Sequence, residues 1–531
     1  MSQKSSEESD NASASTNLGS YFDSSTPTIF DEIVSSSKPD IFATVGSTSK
    51  FNMPPGTPSG NIFENDSSFE EPNEYATVND YHRDAWIPSE NTRKILRSIA
   101  TTSTHGGSQH DRENLTMPGL ALAEEMSDPI KEAVTYFLGE EETMNRNVST
   151  LSDVTQDERG LRSLIKEGCY RAAVNLSGRL LAVYGQGYGK INHPSKHTPH
   201  SLQLWFTRLS LLTKLRQTEI LETESTPFHN LDKPDMYFIF YPELYGTRPG
   251  SMASFAFRLL LAEIPMYYGK GKRAIDNLYA ILATIKKIIN NLENGLSEEG
   301  GVAKFNSDER EDSLQLWKAR RSRTLVSVVN CALSTKNYIL ATEVLEQLLN
   351  SNEWKKGQAE ILNSAIGRIY LSLGDVPAAE KKFSIVQTEN PKAEHIKELV
   401  DRGLMAVAQN AFQEALKCFK TASELDPSNI MLLNNMAVCL LYTGKLEAAV
   451  DLMENMVTVQ NPIKSLQEAV LLNMCTLYEL HTTHSRQSKL QLLRQLNRYN
   501  GDATNIQCLK LTILQKSCVK CLEKKKKKGN R

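Results

Sequence analysis

The stretch LVDRGLMAVAQNAFQEALKCFKTASELDP, residues 399–427, carries the clearest signal of the fold. Apolar residues recur at helical spacing on both sides of a polar break at Gln409 and Asn410, which predicts two paired antiparallel helices. Gly403 and Ala415 are small residues that let two such helices approach closely, and Phe419 fills the groove one turn later. The stretch therefore predicts a compact helical hairpin.

The same residue types recur on both sides of this hairpin at intervals of 36 and 34 residues, close to the 34-residue tetratricopeptide period. The repeat-packing positions are Gly367, Gly403 and Ala437 in first helices, Ala379, Ala415 and Ala449 in second helices, and Phe383 and Phe419 one turn further on. Looser copies lie upstream and downstream. The pattern predicts an all-α fold, a tetratricopeptide-like helical-hairpin repeat solenoid with a disordered N-terminal region.

The predicted organisation has six parts. The first of them, at 1–80, cannot bury enough apolar surface to fold. They are a disordered Ser-rich region at 1–80, a linker with short helices or docking segments at 81–156, divergent helical repeats at 157–350, tetratricopeptide repeats at 351–465, capping helices at 466–516, and a basic tail at 517–531.

The charge balance excludes a general polyanion binder, because 60 Lys and Arg face 63 Asp and Glu in the 531 residues, a net charge of -3. No nucleic-acid partner is expected. The run from Lys524 to Lys528 is a local exception that predicts weak contact with an anionic surface or an import receptor, with a solvated tail as the alternative. The sequence shows no signal peptide or apolar transmembrane run, and its eight scattered cysteines indicate a reducing, cytoplasmic environment.

No motif in the sequence predicts catalysis, a cofactor or a metal. The glycine cluster at Tyr184 to Lys190 lacks the first Gly and the Ser or Thr of a phosphate-binding loop, so it predicts a turn after a helix. Cys518 and Cys521 have no second ligand pair at zinc spacing, and the histidines form no nucleophile or metal motif. We therefore predict a protein that is not an enzyme.

A helical repeat array works by holding partners, and two versions of that function remain open. The first is a scaffold, for which Trp86, Pro88 and Met117 are candidate partner-binding residues, although Trp86 could equally pin its own segment to the array. The second is a co-chaperone or adaptor that grips a peptide carboxylate in its groove through Arg368. Asp401, at a neighbouring groove position, would repel that carboxylate.

Several strings outside the repeat core resemble one known family. DAWIPSENTRKIL, LTMPGLALAEEMSDP, SLQLWFTRLSLLTKL and NLDKPDMYFIFYPELYGTRPGSM are similar to the subunit 12 family of the transport protein particle (TRAPP) complex. The resemblance covers roughly residues 80 to 515 and leaves out the Ser-rich head and the lysine tail.

The resemblance implies a non-catalytic scaffold subunit of a TRAPP III type vesicle-tethering complex in transport from endoplasmic reticulum to Golgi. Its implied partners are core and large peripheral TRAPP subunits, and indirectly Rab GTPases and transport vesicles. The implied location is cytoplasmic and peripheral at endoplasmic reticulum, intermediate compartment and Golgi, with nuclear access left open.

Overall fold

The computed structural model describes residues 80–102, 112–302, 306–351, 356–384, 391–460 and 465–511. Regular secondary structure within these ranges is helical, accompanied by isolated β-bridges but no strand. The predicted all-α helical-hairpin fold is confirmed. The predictions for residues 1–79, for Cys518 and Cys521, and for Lys524 to Lys528 lie outside the described residues.

The helices are numbered here in chain order. Four precede the first repeat: α1 (Asp80–Asp84), α2 (Glu90–Thr102), α3 (Pro129–Phe137) and α4 (Glu140–Thr143). The next nine are α5 (Glu158–Lys166), α6 (Tyr170–Val183), α7 (Pro199–Lys214), α8 (Thr218–Ser225), α9 (Pro242–Tyr245), α10 (Phe255–Tyr267), α11 (Gly271–Glu293), α12 (Ser307–Ser334) and α13 (Tyr338–Leu349). The last eight are α14 (Lys356–Leu373), α15 (Val376–Phe383), α16 (Pro391–Ala408), α17 (Phe412–Leu425), α18 (Ile430–Tyr442), α19 (Leu446–Asn455), α20 (Glu468–His481) and α21 (Ser485–Tyr499).

The chain forms two compact units. Of the described residues, unit 1 comprises those up to Met126 together with Ser149–Ala411, and unit 2 comprises Ser127–Val148 together with those from Phe412 onward. A segment near the N-terminus therefore belongs to the C-terminal unit.

Seven helix-to-helix turns share one geometry. In each, a residue with positive φ follows the first helix, and the second helix begins two residues later. The next residue donates its backbone N–H to the carbonyl five residues before it, as Lys445 does to Leu440. The seven positive-φ residues are Gly168, Arg216, Gly269, Lys336, Gly374, Asn410 and Gly444. The repeat therefore extends upstream to α5, beyond the part with a regular period.

The repeat-packing residues lie on the helices where the period places them. Gly367, Gly403 and Ala437 are buried on the first helices α14, α16 and α18, and Ala379, Ala415 and Ala449 are fully buried on α15, α17 and α19. Phe419 is fully buried, whereas Phe383 is half-buried.

Gly367 is a glycine because the Phe383 ring occupies the space of a side chain. A Cβ atom at residue 367 would lie 2.4 Å from Cε1 of Phe383. Contacts this short force one of the two helices to shift, since packed cores have few voids to absorb an added methyl group. The close approach fixes how α14 and α15 pack.

We expect Gly367→Ala to lower the free energy of unfolding of unit 1 by about 1–3 kcal/mol through overpacking. Urea denaturation followed by tryptophan fluorescence measures this, because all four tryptophans fall within the residue ranges of unit 1. The double variant Gly367→Ala/Phe383→Leu should recover part of the loss, since leucine vacates the ring position. Equal stability of Gly367→Ala and the natural chain would contradict the close contact.

Unit 2 is completed by the segment that carries α3. Ile130 and Val134 are fully buried in one cluster with residues of α18 to α21 and of the 3-10 turn Ile506–Leu509. Arg146 binds this segment to α21. Its guanidinium pairs with Asp128 and donates to four backbone carbonyls at the end of α21, those of residues 496, 497, 500 and 501. Among them, the carbonyl of Asn497 lies in the last turn of α21, where carbonyls lack a donor within the helix.

Among the described residues, none of the helices combines the length and the apolar character that crossing a membrane requires.

Candidate interaction sites

Trp86 lies inside unit 1, with 8% of its surface exposed. Its indole packs between the rings of Phe255 on α10 and Trp317 on α12, at centroid distances of 6.5 and 6.3 Å. The guanidinium of Arg258 stands 4.4 Å from its ring centroid, in cation–π geometry. These contacts are those of the internal pin, the alternative in which Trp86 holds its own segment on the array.

Polar contacts fix the backbone beside Trp86. Arg320 on α12 donates to the carbonyl of Arg83 at 2.8 Å, and the Ser251 N–H donates to the carbonyl of Asp84 at 2.9 Å. His82 Nδ1 contacts Glu298 Oε1 at 2.5 Å, and both side chains are buried. The segment is an ordered layer on the first helices α10 and α12.

Pro88 is half-buried just before α2. The helix begins at Glu90, two residues after Pro88. The Ser89 hydroxyl accepts the N–H of Thr92 at 3.3 Å, which satisfies a backbone donor in the first turn.

Met117 is half-buried in a second segment that crosses unit 1, and its carbonyl accepts the N–H of Asn192 at 3.1 Å. Thr116, beside it, is fully buried and donates both its N–H and its hydroxyl to Asp235. The carbonyl of Thr116 accepts from Nε2 of His197 at 2.8 Å. Met117 is therefore held through its own carbonyl and through the bonds of Thr116.

His197 and Asp235 form a buried polar centre under this segment. Burial lowers the pKa of His197, although nearby Asp235 opposes the shift. Burial likewise raises the pKa of Asp235, against the opposing effects of His197 and Thr116. A neutral imidazole that donates from Nε2 fits the Thr116 carbonyl, so the centre serves as a structural clasp.

Arg208 on α7 and Glu224 on α8 form a second clasp. The pair is bidentate, with N···O distances of 2.6 and 2.9 Å, and both side chains are almost completely buried. Glu224 also accepts the N–H of Ala121, and Arg208 donates to the carbonyl of Val174. The clasp joins the Met117 segment to two hairpins.

Comparison with known proteins finds relatives of similar sequence. No protein-family profile matches the chain. The trafficking protein particle complex subunit 12 of Mus musculus is 43% identical over 436 residues, and that of Homo sapiens is 42% identical over 436 residues, in each case 81% of this chain. Over these residues the chain is similar to TRAPP subunit 12 of both species.

The chain spans 54% of the length of the mouse relative and 59% of the human one, little more than half of each. Among solved structures, the tetratricopeptide domain of P58(IPK) is 13% identical and matches 70% of this chain and 98% of that domain, with a TM-score of 0.17. A TM-score this low carries no argument, so the repeat assignment rests on the hairpins themselves.

In this TRAPP subunit 12 relative, Arg368 is occupied by a carboxylate of its own chain. Its guanidinium lies 3.1 Å from Asp401, whose two oxygens also accept the hydroxyl of Ser364 at 3.1 and 2.9 Å. The side chain of Arg368 is 14% exposed and that of Asp401 5%. Asp401 therefore does more than repel an incoming carboxylate, because it takes the position that one would occupy.

The other first helices of unit 1 also use their arginines internally. Arg258 on α10 donates to the carbonyls of Asn230 and Leu231, and Arg320 on α12 donates to the carbonyl of Arg83. Arg208 and Arg368 likewise bind carboxylates of the chain itself, those of Glu224 and Asp401. These four arginines are thus not free to clamp the carboxylate of a peptide.

The glycine cluster behaves as a helix end. Gly185, two residues after the end of α6, has positive φ, and the Gln186 N–H donates to the carbonyl of Leu181. The buried Gln186 side chain accepts Nε1 of Trp205 at 2.7 Å. The described residues contain no group of three or more histidine, cysteine or carboxylate side chains placed to hold a metal ion.

Sequence patterns missed the clasps at His197 and Asp235 and at Arg208 and Glu224. The paired side chains are separated by 38 and 16 positions in the chain and follow no motif. Asp128 caps α3 before Pro129, a local pattern that marks where a helix starts without indicating which helices α3 joins.

Proposed function

We propose that the chain is a non-catalytic scaffold subunit of a TRAPP III type vesicle-tethering complex that acts between endoplasmic reticulum and Golgi. The identity of 42–43% over 436 residues with two proteins named trafficking protein particle complex subunit 12 is the observation that carries the proposal. In this role the chain bridges the core of the complex to other large subunits, and it acts on Rab GTPases and vesicles only through them. It works in the cytoplasm, peripheral to endoplasmic reticulum, intermediate compartment and Golgi.

The packing of unit 1 supports a scaffold over a peptide receptor. The Trp86 and Met117 segments lie on the helices of the array, and Arg368 is paired with Asp401. A peptide receptor needs free donors along its groove. A scaffold that binds through outer surfaces needs a rigid body, which these internal contacts provide.

Size-exclusion chromatography of the tagged full chain from cell lysate tests the proposal. We expect co-elution in a complex far larger than the chain, with other TRAPP subunits identified by mass spectrometry of the peak. Elution as a monomer, or with a chaperone alone, would overturn the scaffold proposal. In parallel, an acidic C-terminal peptide should show no binding that Arg368→Ala removes, since that result would favour the co-chaperone alternative.

A further inference from the structure

One edge of unit 1 collects a row of cations. The turns of four hairpins meet there, and we call this surface the turn edge: residues 166–171, 214–222, 268–273 and 334–339. Contacts place the four turns side by side. Lys214 Nζ lies 4.6 Å from the ring centroid of Tyr170, and Lys270 Nζ lies 2.7 Å from Glu222. A Cβ on Gly271 would come within 2.2 Å of Thr335, which joins the third turn to the fourth.

The turn edge is strongly basic in a chain that is nearly neutral overall. It contains three carboxylates, Glu167, Glu219 and Glu222, against eight cations. Seven of those cations are exposed: Lys166, Lys214, Arg216, Lys270, Lys272, Arg273 and Lys336. Cations supplied by every one of four successive turns produce a continuous positive field rather than isolated charges.

Aromatic and aliphatic side chains accompany the cations. Tyr170, Tyr268 and Tyr338 stand half-buried, one at each of three turns, and the ammonium groups of Lys214 and Lys270 lie over the first two rings. Ile339 is 72% exposed in the first turn of α13. Tyrosine and an exposed aliphatic side chain beside lysines are the combination that favours the boundary between water and lipid headgroups.

We propose that the turn edge is a docking surface for an anionic membrane. An acidic peptide is usually held by cations around a cleft, whereas these cations lie on four exposed turns. Neighbouring helices lie about 8–10 Å apart, so the row extends over several tens of Å, a span that suits a planar surface. The exposed Ile339 also suits a membrane interface better than an acidic peptide. This inference concerns lipid contact by the chain itself and goes beyond its proposed role as a subunit.

Co-sedimentation of the full chain with phosphatidylcholine vesicles, with and without phosphatidylserine, tests the surface. We expect binding that requires phosphatidylserine and weakens with salt, because exposed charges are screened. Lys272→Glu/Arg273→Glu should weaken binding at least tenfold, since each cation near an anionic surface contributes appreciably. Both changes lie in the first turn of α11, where acidic residues favour the helix, so the variant should fold. Ile339→Ser should weaken binding severalfold without changing charge.

The matched control is Lys286→Glu/Lys287→Glu, which reverses two exposed charges of the same helix about 20 Å from the turn edge. It should bind vesicles within about threefold of the natural chain, because the field of a surface charge falls off within a Debye length of about 10 Å. Circular dichroism and thermal unfolding confirm that both variants are folded. Lys524 to Lys528 are present in every variant, so any contribution from them is constant.

Three outcomes would overturn the proposal. They are no binding of the natural chain to phosphatidylserine vesicles, equal binding by the turn-edge variant, and equal losses in both double variants. If the turn-edge variant binds vesicles normally but no longer co-elutes in the large complex, the surface serves an acidic protein partner instead. The scaffold proposal is judged separately, by co-elution of the natural chain, so the two can fail independently.

Discussion

Arg208→Leu should lower the free energy of unfolding of unit 1 by about 3–5 kcal/mol, the cost typical of breaking a buried ion pair by removing one partner. The change leaves the carboxylate of Glu224 fully buried without its two guanidinium bonds. It also removes the donor to the carbonyl of Val174. Urea denaturation followed by tryptophan fluorescence measures the loss in unit 1.

Arg179→Leu is the matched control, because Arg179 pairs with Glu125 on the surface of the same unit, with both side chains about half exposed. Water solvates such a pair in either state, so we expect a change within about 1 kcal/mol. The double variant Arg208→Leu/Glu224→Leu should recover part of the stability, since apolar residues of similar size tolerate that site. A loss below 1 kcal/mol for Arg208→Leu would mean that the pair is solvated.

Trp86→Ala should destabilise unit 1 by about 3–5 kcal/mol, as is typical when a buried aromatic side chain is truncated. The change removes the indole between Phe255 and Trp317 and the cation–π contact with Arg258. The melting temperature, followed by circular dichroism, and the urea midpoint should both fall. Co-elution with partner subunits should fall in parallel, because the unit that carries the outer surfaces is weakened.

Tyr81→Ala tests whether this effect is specific to the buried ring. Tyr81 lies in the same segment and is 58% exposed, so its truncation should change stability by no more than about 0.5 kcal/mol. The partner-anchor alternative for Trp86 makes the opposite prediction. Loss of partner subunits at an unchanged melting temperature would establish Trp86 as an anchor and would rule out the internal pin.

The helical repeat was predictable because its signals are local. From Gly367 to Ala449, small residues recur at intervals set by hairpin geometry, and each packs against a helix close in sequence. Upstream the same turn geometry persists without its usual residue, since Arg216 and Lys336 adopt positive φ where glycine is expected. Insertions such as residues 226–251 also lengthen the interval between hairpins. The helical hairpins therefore continue upstream of the segment in which the sequence shows a regular period.

The interior contacts of unit 1 could not be predicted from the sequence. An arginine or a glutamate is exposed by default, so nothing in the residue types of Arg208 and Glu224 indicates that both are buried. The sequence left two roles open for Trp86, a partner anchor or an internal pin. Its contacts with the rings on α10 and α12 distinguish the two and favour the internal pin. The charges of the turn edge were visible as scattered lysines and arginines, but their alignment depends on how four hairpins stack.

The assignment of α3 to unit 2 has a consequence for synthesis on the ribosome. Ile130 and Val134 are translated more than 300 residues before α20 and α21, against which they are buried. At about 5–20 residues per second, this apolar face waits roughly 15 seconds to a minute for its partners. During that interval a newly made chain carries an unpaired amphipathic helix, a natural substrate for a chaperone. A fragment that starts at Phe412 would lack the helix altogether, so the C-terminal unit should be produced only together with residues 127–148.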